Sequence, residues 1–202
     1  MVIFISGGVK GGKSMFAQHA AKYLSETSGG VMCYLATMIP MDDEDLKRVS
    51  RHIADRQGWG FITIEEGLKL PRAAKALKGD EVVLFDSLTA LVQNNMFEGG
   101  DYRPEYEAEN IKEELKELAK ACKHLIIVSD CIFSDALIYD EITEAFRRIL
   151  GHAQIQAACV ADVVLECAFS NIKVWKNEAD IDIKAITDMY YTLNSHLTYG
   201  DI

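Results

Sequence analysis

The chain has 202 residues, of which 49% are hydrophobic and 26% charged, so it can bury one substantial core. Its formal charge of -10 argues against a nucleic-acid-binding module or an anionic membrane surface as partner, so any phosphate binding needs a local device. Five scattered cysteines suit reduced thiols in a cytoplasmic protein, and no apolar run reaches the roughly 20 residues that span a bilayer.

Short β-branched or aromatic runs alternate with longer amphipathic segments, which is typical of a mostly parallel sheet with helices on both faces. The predicted strands span residues 2–6, 31–36, 61–64, 81–86, 124–129, 163–167 and, as a further candidate, 172–175. The predicted helices span residues 13–26, 44–56, 70–77, 104–122 and 140–158. The pattern predicts an α/β fold.

The last segment, residues 177–202, is polar at first and then carries apolar residues at intervals of three and four: Ile186, Met189, Tyr190, Leu193 and Leu197. This spacing predicts a helix that packs on the domain or on a neighbouring subunit. We therefore divide the chain into a nucleotide-binding and transferase domain, residues 1–176, and a C-terminal helical extension, residues 177–202.

A phosphate-binding loop lies between the first predicted strand and the first helix. It fits G-x-x-x-x-G-K-[ST] with Gly7, Gly8, Val9, Lys10, Gly11, Gly12, Lys13 and Ser14. Glycines let backbone N–H groups point at phosphate oxygens, and the helix N-terminus adds partial positive charge. Lys13 is expected to reach the β- and γ-phosphates and Ser14 to bind Mg²⁺. The motif places the chain among P-loop NTPases of the RecA-like type; the alternative is a glycine turn that matches by chance.

Lys10 is a second lysine in this loop. A class of partner-sensing ATPases has an extra lysine directly after the first glycine of the motif, and Lys10 comes two positions later. We therefore interpret it as a local charge that helps to hold phosphate.

Asp86 closes the apolar run of the fourth predicted strand. Open α/β folds bind their ligands at the carboxyl ends of parallel strands, where Asp86 would lie. It matches the second Mg²⁺ element of P-loop enzymes. The alternative is that Asp86 caps the following helix, since Asp is a favoured N-cap.

Arg48, His52 and Arg56 are spaced four residues apart, so on a helix they form one stripe. A neutral imidazole can attack phosphorus, and flanking guanidinium groups bind phosphates and disfavour the charged histidine. The alternative is an ordinary solvated histidine on a surface helix.

Further segments keep a common order with these motifs: YLAT at 34–37, DDE at 42–44, TIEE at 63–66, Thr89, Asn94, Phe146-Arg147, Gly151 and Ala161-Asp162. Together they resemble the bifunctional adenosylcobinamide kinase/adenosylcobinamide-phosphate guanylyltransferase family of cobalamin biosynthesis. The resemblance covers about residues 1–176.

The resemblance implies that ATP or GTP phosphorylates adenosylcobinamide. GMP then passes from GTP through a GMP-histidine at His52 to adenosylcobinamide phosphate, and Lys13 is the other catalytic residue. It implies that Thr37, Arg56 and Glu65 contact the nucleotide and that Asp86 serves Mg²⁺. It further implies a homo-oligomer, such as a trimer.

Two segments depart from the family pattern. Residues 130–133 read DCIF where the family tends to have Asn-Glu-Val-Gly, and Gln154-Ile155 stands where it has an Asn-Gln pair. We expect both near the corrinoid or the subunit contacts, so they leave the acceptor open more than the nucleotide. The sequence also leaves open whether ATP or GTP is preferred for phosphorylation. The alternatives are a nucleotide-binding regulatory protein and a divergent P-loop small-molecule kinase with one of the two activities.

Overall fold

The computed structural model describes residues 1–103, 106, 108–169 and 171–194, which form a seven-stranded sheet covered by helices. The strands are β1 (Val2–Gly7), β2 (Val31–Ala36), β3 (Ile62–Glu65), β4 (Glu81–Asp86), β5 (His124–Asp130), β6 (Val163–Ala168) and β7 (Asn171–Asn177). Their order is β3-β2-β4-β5-β1-β6-β7, and only β6 and β7 pair antiparallel. The predicted α/β fold is confirmed.

Helices pack on both faces of the sheet. One face carries α1 (Lys13–Ser28) and α7 (Ile183–Asn194). The other carries α3 (Leu70–Ala76), α4 (Leu88–Met96), α5 (Ile111–Lys120) and α6 (Glu141–Val160). The remaining helix, α2 (Asp43–Asp55), adds none of its described side chains to either core cluster. α2 therefore lies at the surface, at the carboxyl edge of the sheet.

The central strands are apolar on both faces because both faces are covered. In β1, Val2 and Phe4 enter one core cluster while Ile3 and Ile5 enter the other. The strand side-chain period of two produces this alternation. The result is a sheet with a packed core on each face.

The structure has one helix that was not predicted and one helix that is shorter than predicted. The sequence analysis missed α4, whose first turn is capped by the Ser87 hydroxyl accepting from Ala90 N–H. The predicted helix at 104–122 is shorter, because a 3₁₀ turn at Ala108–Asn110 precedes α5. A 3₁₀ turn aligns residues i and i+3, and this brings Ala108 and Ile111 into the core together. Residues 104, 105 and 107 of that prediction lie outside the described residues.

The C-terminal helix α7 packs on α1. The Tyr190 ring lies edge-on to Phe16 at 5.7 Å and to His19 at 5.6 Å, and Ile186 is fully buried. Leu197 and the Leu193 side chain lie outside the described residues. Among the helices that the structure describes, none combines the length and apolar character that a membrane crossing requires.

Candidate active site

Two glycines of the phosphate-binding loop are required for different reasons, Gly7 for close approach to a neighbouring strand and Gly12 for its backbone conformation. A Cβ at Gly7 would lie 2.2 Å from the carbonyl oxygen of Cys167 in β6. Gly12 caps α1 in the left-handed region at φ 90°, which L side chains disfavour. Burial raises the pKa of the adjacent Cys167 thiol to about 12, although Lys13 opposes the shift. This thiol is therefore protonated and is a poor nucleophile.

Lys13 is buried at the start of α1, beneath the loop. Its ammonium donates to the Gly8 carbonyl at 2.8 Å and forms an ion pair with Asp130 Oδ1 at 2.8 Å. Ser14 follows it in the first turn of the helix, and Lys10 is exposed at the top of the loop. The two lysines therefore differ: Lys13 is held in place, and Lys10 faces solvent.

Asp130 is a site residue that the sequence analysis did not assign. It ends β5, opposite Gly7 of the neighbouring strand β1. Its backbone N–H donates to the Thr89 hydroxyl at 2.8 Å, and the Gln154 amide donates to its carbonyl at 2.7 Å. A carboxylate closing a buried strand was the signal that identified Asp86, and the same signal applies to Asp130.

A cavity of about 360 Å³ opens at the carboxyl ends of β2 and β4. Four predicted site residues come together in its wall: His52 from α2, Arg56 at the end of that helix, Glu65 from β3 and Asp86 from β4. The described lining does not include the phosphate-binding loop. The structure thus has two neighbouring features at one edge of the sheet, the loop and the histidine cavity.

Arg56 is the buried cation of the histidine cavity. Only 9% of it is exposed, and its guanidinium carbon lies 3.4 Å from the centre of the Tyr34 ring. Its buried Nη1 has no hydrogen-bond partner among the described residues. An unsatisfied buried donor costs on the order of 1–3 kcal/mol, so this nitrogen suits an anionic ligand.

Tyr34 joins this arginine to the carboxylate of β4. Its hydroxyl donates to Asp86 Oδ2 at 2.9 Å while its ring lies under Arg56. The alternative that Asp86 caps α4 is wrong, because Ser87 is the N-cap. Asp86 therefore presents its carboxylate to the cavity.

The predicted arginine stripe divides in the structure. Arg48 is exposed and pairs with Glu44 at 3.3 Å and Asp45 at 3.8 Å on its own helix. It is not in the described lining of the histidine cavity, whereas His52 and Arg56 are. Arg56 reaches inward because it stands at the helix end, where the chain turns towards β3.

Thr37 lies behind the cavity wall. It is fully buried, and its hydroxyl donates to the Ser87 carbonyl at 2.8 Å and accepts from the Ser87 N–H at 2.7 Å. Asn94 donates to the Thr37 carbonyl at 2.6 Å. Within the described structure, Thr37 therefore holds the junction between β4 and α4.

The oxygen donors present suit Mg²⁺. Ser14 supplies a hydroxyl and Asp86 a carboxylate, which are the hard ligands this ion prefers. Among the described residues, no cluster of three or more His, Cys, Asp or Glu side chains could hold a metal by itself. Mg²⁺ typically binds through one or two protein oxygens together with substrate phosphates, and this sparse donor set fits that mode.

Comparisons with known proteins agree on one family. A model of the family described as cobinamide kinase / cobinamide phosphate guanyltransferase matches residues 3–170. The bifunctional adenosylcobalamin biosynthesis protein CobU of Escherichia coli (strain K12) is 30% identical over 176 residues, covering 81% of this chain and 93% of the relative. The crystal structure of the flagellar accessory protein FlaH from Methanocaldococcus jannaschii shares the fold, with a TM-score of 0.50 and 14% identity over 88% of this chain and 79% of that one. The chain belongs to the cobinamide kinase / cobinamide phosphate guanyltransferase family.

Proposed function

We propose that the phosphate-binding loop and the histidine cavity divide the two activities of this family between them. The chain is an adenosylcobinamide kinase and adenosylcobinamide-phosphate guanylyltransferase of cobalamin biosynthesis. The observation that supports the division is that His52 and the buried Arg56 line one cavity, whose described lining does not include Lys13. The Nη1 of Arg56 has no hydrogen-bond partner among the described residues.

In the kinase step, the loop holds the phosphates of ATP or GTP and Lys13 stabilises charge on the transferred group. The adenosylcobinamide hydroxyl oxygen forms a bond to the γ-phosphorus. The bond from the γ-phosphorus to the bridging oxygen breaks, and the nucleoside diphosphate leaves with the electron pair. The hydroxyl proton passes to solvent.

In the transferase step, a neutral nitrogen of His52 attacks the α-phosphorus of GTP, and pyrophosphate leaves. A phosphate oxygen of adenosylcobinamide phosphate then attacks the same phosphorus. The phosphorus–nitrogen bond breaks, which restores His52 and forms adenosylcobinamide-GDP. Arg56 would stabilise the negative charge through its free Nη1 donor.

The remaining predicted residues support the nucleotide. Glu65 lines the cavity and would accept hydrogen bonds from the nucleoside, whereas Thr37 would act through Ser87. Ser14 and Asp86 would hold Mg²⁺, which neutralises phosphate charge when bound. The homo-oligomer, as a trimer, and the cytoplasmic location stay predictions; light scattering coupled to gel filtration tests the first.

The test is covalent labelling with GTP radioactive at the α-phosphate. With Mg²⁺ present, we expect an acid-labile, base-stable adduct that His52→Ala abolishes while ATP-dependent phosphorylation of adenosylcobinamide continues. Arg51→Ala, on the exposed neighbour in the same helix, is the matched control and should label normally. Labelling that survives His52→Ala would assign the nucleophile elsewhere.

A further inference from the structure

A second cavity, of about 550 Å³, lies in the connection between β5 and α6. We name it the β5–α6 cavity. Its walls include Cys131, Ile132, Ser134, Tyr139, Phe146 and Arg147. None of these residues lines the histidine cavity.

The β5–α6 cavity begins at the phosphate-binding loop. Strand β5 lies between β4 and β1, so the chain that leaves β5 starts between Asp86 and the loop. Asp130 contacts Lys13, and the next residue, Cys131, donates its N–H to the Gly7 carbonyl at 2.8 Å. The first wall residue is therefore hydrogen-bonded to the loop that would hold the transferable phosphate.

Side-chain contacts tie the connection together although residues 131–140 contain no helix or strand. Arg147 pairs with Asp135 at 3.6 Å and with Glu144 at 3.0 Å. The Tyr139 hydroxyl donates to Asp135 at 2.8 Å. Arg147 is mostly buried, and its Nε has no hydrogen-bond partner among the described residues. The wall of the cavity is thus held by ion pairs and a hydrogen bond.

The lining combines apolar groups, neutral polar groups and the ion-paired side chains of Asp135 and Arg147. Ile132 and Phe146 supply apolar wall, and the hydroxyls of Ser134 and Thr143 supply hydrogen bonds. In the same connection, outside the described lining, Leu137 is 63% and Ile138 95% exposed. A corrinoid presents methyl groups, neutral amides and one arm that ends in the alcohol, so its edge matches this mixture.

We propose that the β5–α6 cavity binds the corrinoid acceptor by an amide-bearing edge, with the alcohol arm directed to the phosphate held by Lys13. The inference rests on the proposed kinase function and adds the acceptor subsite to it. Cavities for organic ligands span about 300–1,000 Å³, so the β5–α6 cavity can hold one edge of the corrinoid together with its alcohol arm. The Arg147 Nε donor would bond an amide carbonyl.

Filling the cavity tests the proposal. Ser134→Trp places a large ring in the wall, and Cys159→Trp adds the same ring on the exposed surface of α6 as the matched control. Dicyanocobinamide binding is measured by equilibrium dialysis, and the kinase KM is measured with adenosylcobinamide. We expect Ser134→Trp to raise the Kd for dicyanocobinamide and the KM for adenosylcobinamide by about tenfold or more. For the Kd, this corresponds to a loss of about 1.4 kcal/mol in binding free energy. The nucleotide KM and the labelling of His52 should stay unchanged in both variants.

Dialysis separates failure of this inference from failure of the proposed function. Weakened dicyanocobinamide binding in Ser134→Trp supports the subsite even if the wild-type enzyme shows no turnover. Unchanged binding in this variant overturns the subsite, as does a wild-type protein that does not bind the probe. A change in oligomeric mass with unchanged corrinoid binding assigns the surface to a second copy of the chain and also overturns it.

Discussion

Lys13 Nζ lies 2.8 Å from Asp130 Oδ1, so the phosphate-binding lysine already has an anionic partner on the neighbouring strand. The Asp130 carboxylate competes with a nucleotide phosphate for Lys13, and its negative charge repels that phosphate. We expect Asp130→Asn to tighten nucleotide binding about three- to tenfold, on the order of 1 kcal/mol. Titration calorimetry with GTP measures this.

The control for this prediction is Asp80→Asn, an exposed acid before β4 at the opposite edge of the sheet, which should leave the Kd unchanged. Weaker GTP binding by Asp130→Asn only when Mg²⁺ is present would show that the carboxylate serves the metal instead.

Tyr34 offers a second test because its ring and its hydroxyl have different partners. Tyr34→Phe keeps the ring under Arg56 and removes the hydrogen bond to Asp86. We expect a loss of about 1 kcal/mol in the free energy of unfolding. The Mg²⁺ concentration for half-maximal kinase rate should rise, since the Asp86 carboxylate loses a positioning contact. Tyr34→Leu removes both contacts and should also slow the labelling of His52. If Tyr34→Phe needs the same Mg²⁺ concentration as the wild type, the Tyr34 hydroxyl does not position Asp86.

Two adjacent glycines make a matched pair. Gly7→Ala puts a Cβ 2.2 Å from the Cys167 carbonyl oxygen, whereas a Cβ at Gly8 meets nothing within 4 Å. Overpacking of this kind costs about 1–3 kcal/mol, so Gly7→Ala should lower the free energy of unfolding by that amount in urea titrations. Gly8→Ala should stay near the wild-type value, and equal losses in the two variants would refute the steric explanation.

Because His19 is buried, we expect the stability of the protein to depend on pH. It is 1% exposed, its Nδ1 bonds the Met15 carbonyl at 2.8 Å, and its ring contacts Trp59 and Tyr190. Burial lowers the pKa of His19, and the charge of Lys22 lowers it further, against the Met15 hydrogen bond. As pH falls below about 6.5, the unfolded chain takes up a proton that the folded chain does not. The free energy of unfolding therefore decreases towards the lower folded pKa, by at most about 1.4 kcal/mol per pH unit for this group.

His19→Asn tests this effect, because Asn retains a donor for the Met15 carbonyl and does not titrate. Thermal unfolding from about pH 7 to pH 5 should show a shallower loss of stability in this variant. The pKa of His124 is also lowered by burial, but His124 is present in both proteins, so the difference reports His19. His152→Asn, at an exposed site, should follow the wild type, and parallel curves for His19→Asn would refute the prediction.

The strands and the phosphate-binding loop could be predicted because their signals are local. An apolar run followed by glycines and a Gly-Lys-Ser start of a helix needs no knowledge of distant residues. Helix α4 was missed since residues 88–96 mix apolar and amide side chains without a clear charged face, and Ser87 was not considered as a cap. Asp130 was missed because residues 130–133 were considered only as a departure from the family pattern and not as the end of a strand.

The sequence by itself determined the α/β fold, the phosphate-binding loop and the family. Only the tertiary structure decided which of the candidate residues meet. Strand order places Asp130 beside Lys13, and the position of Arg56 at a helix end turns it inward over Tyr34 while Arg48 pairs on its own helix. Local motifs depend on neighbours in the chain, whereas these contacts depend on pairing between strands far apart in sequence and on side-chain direction.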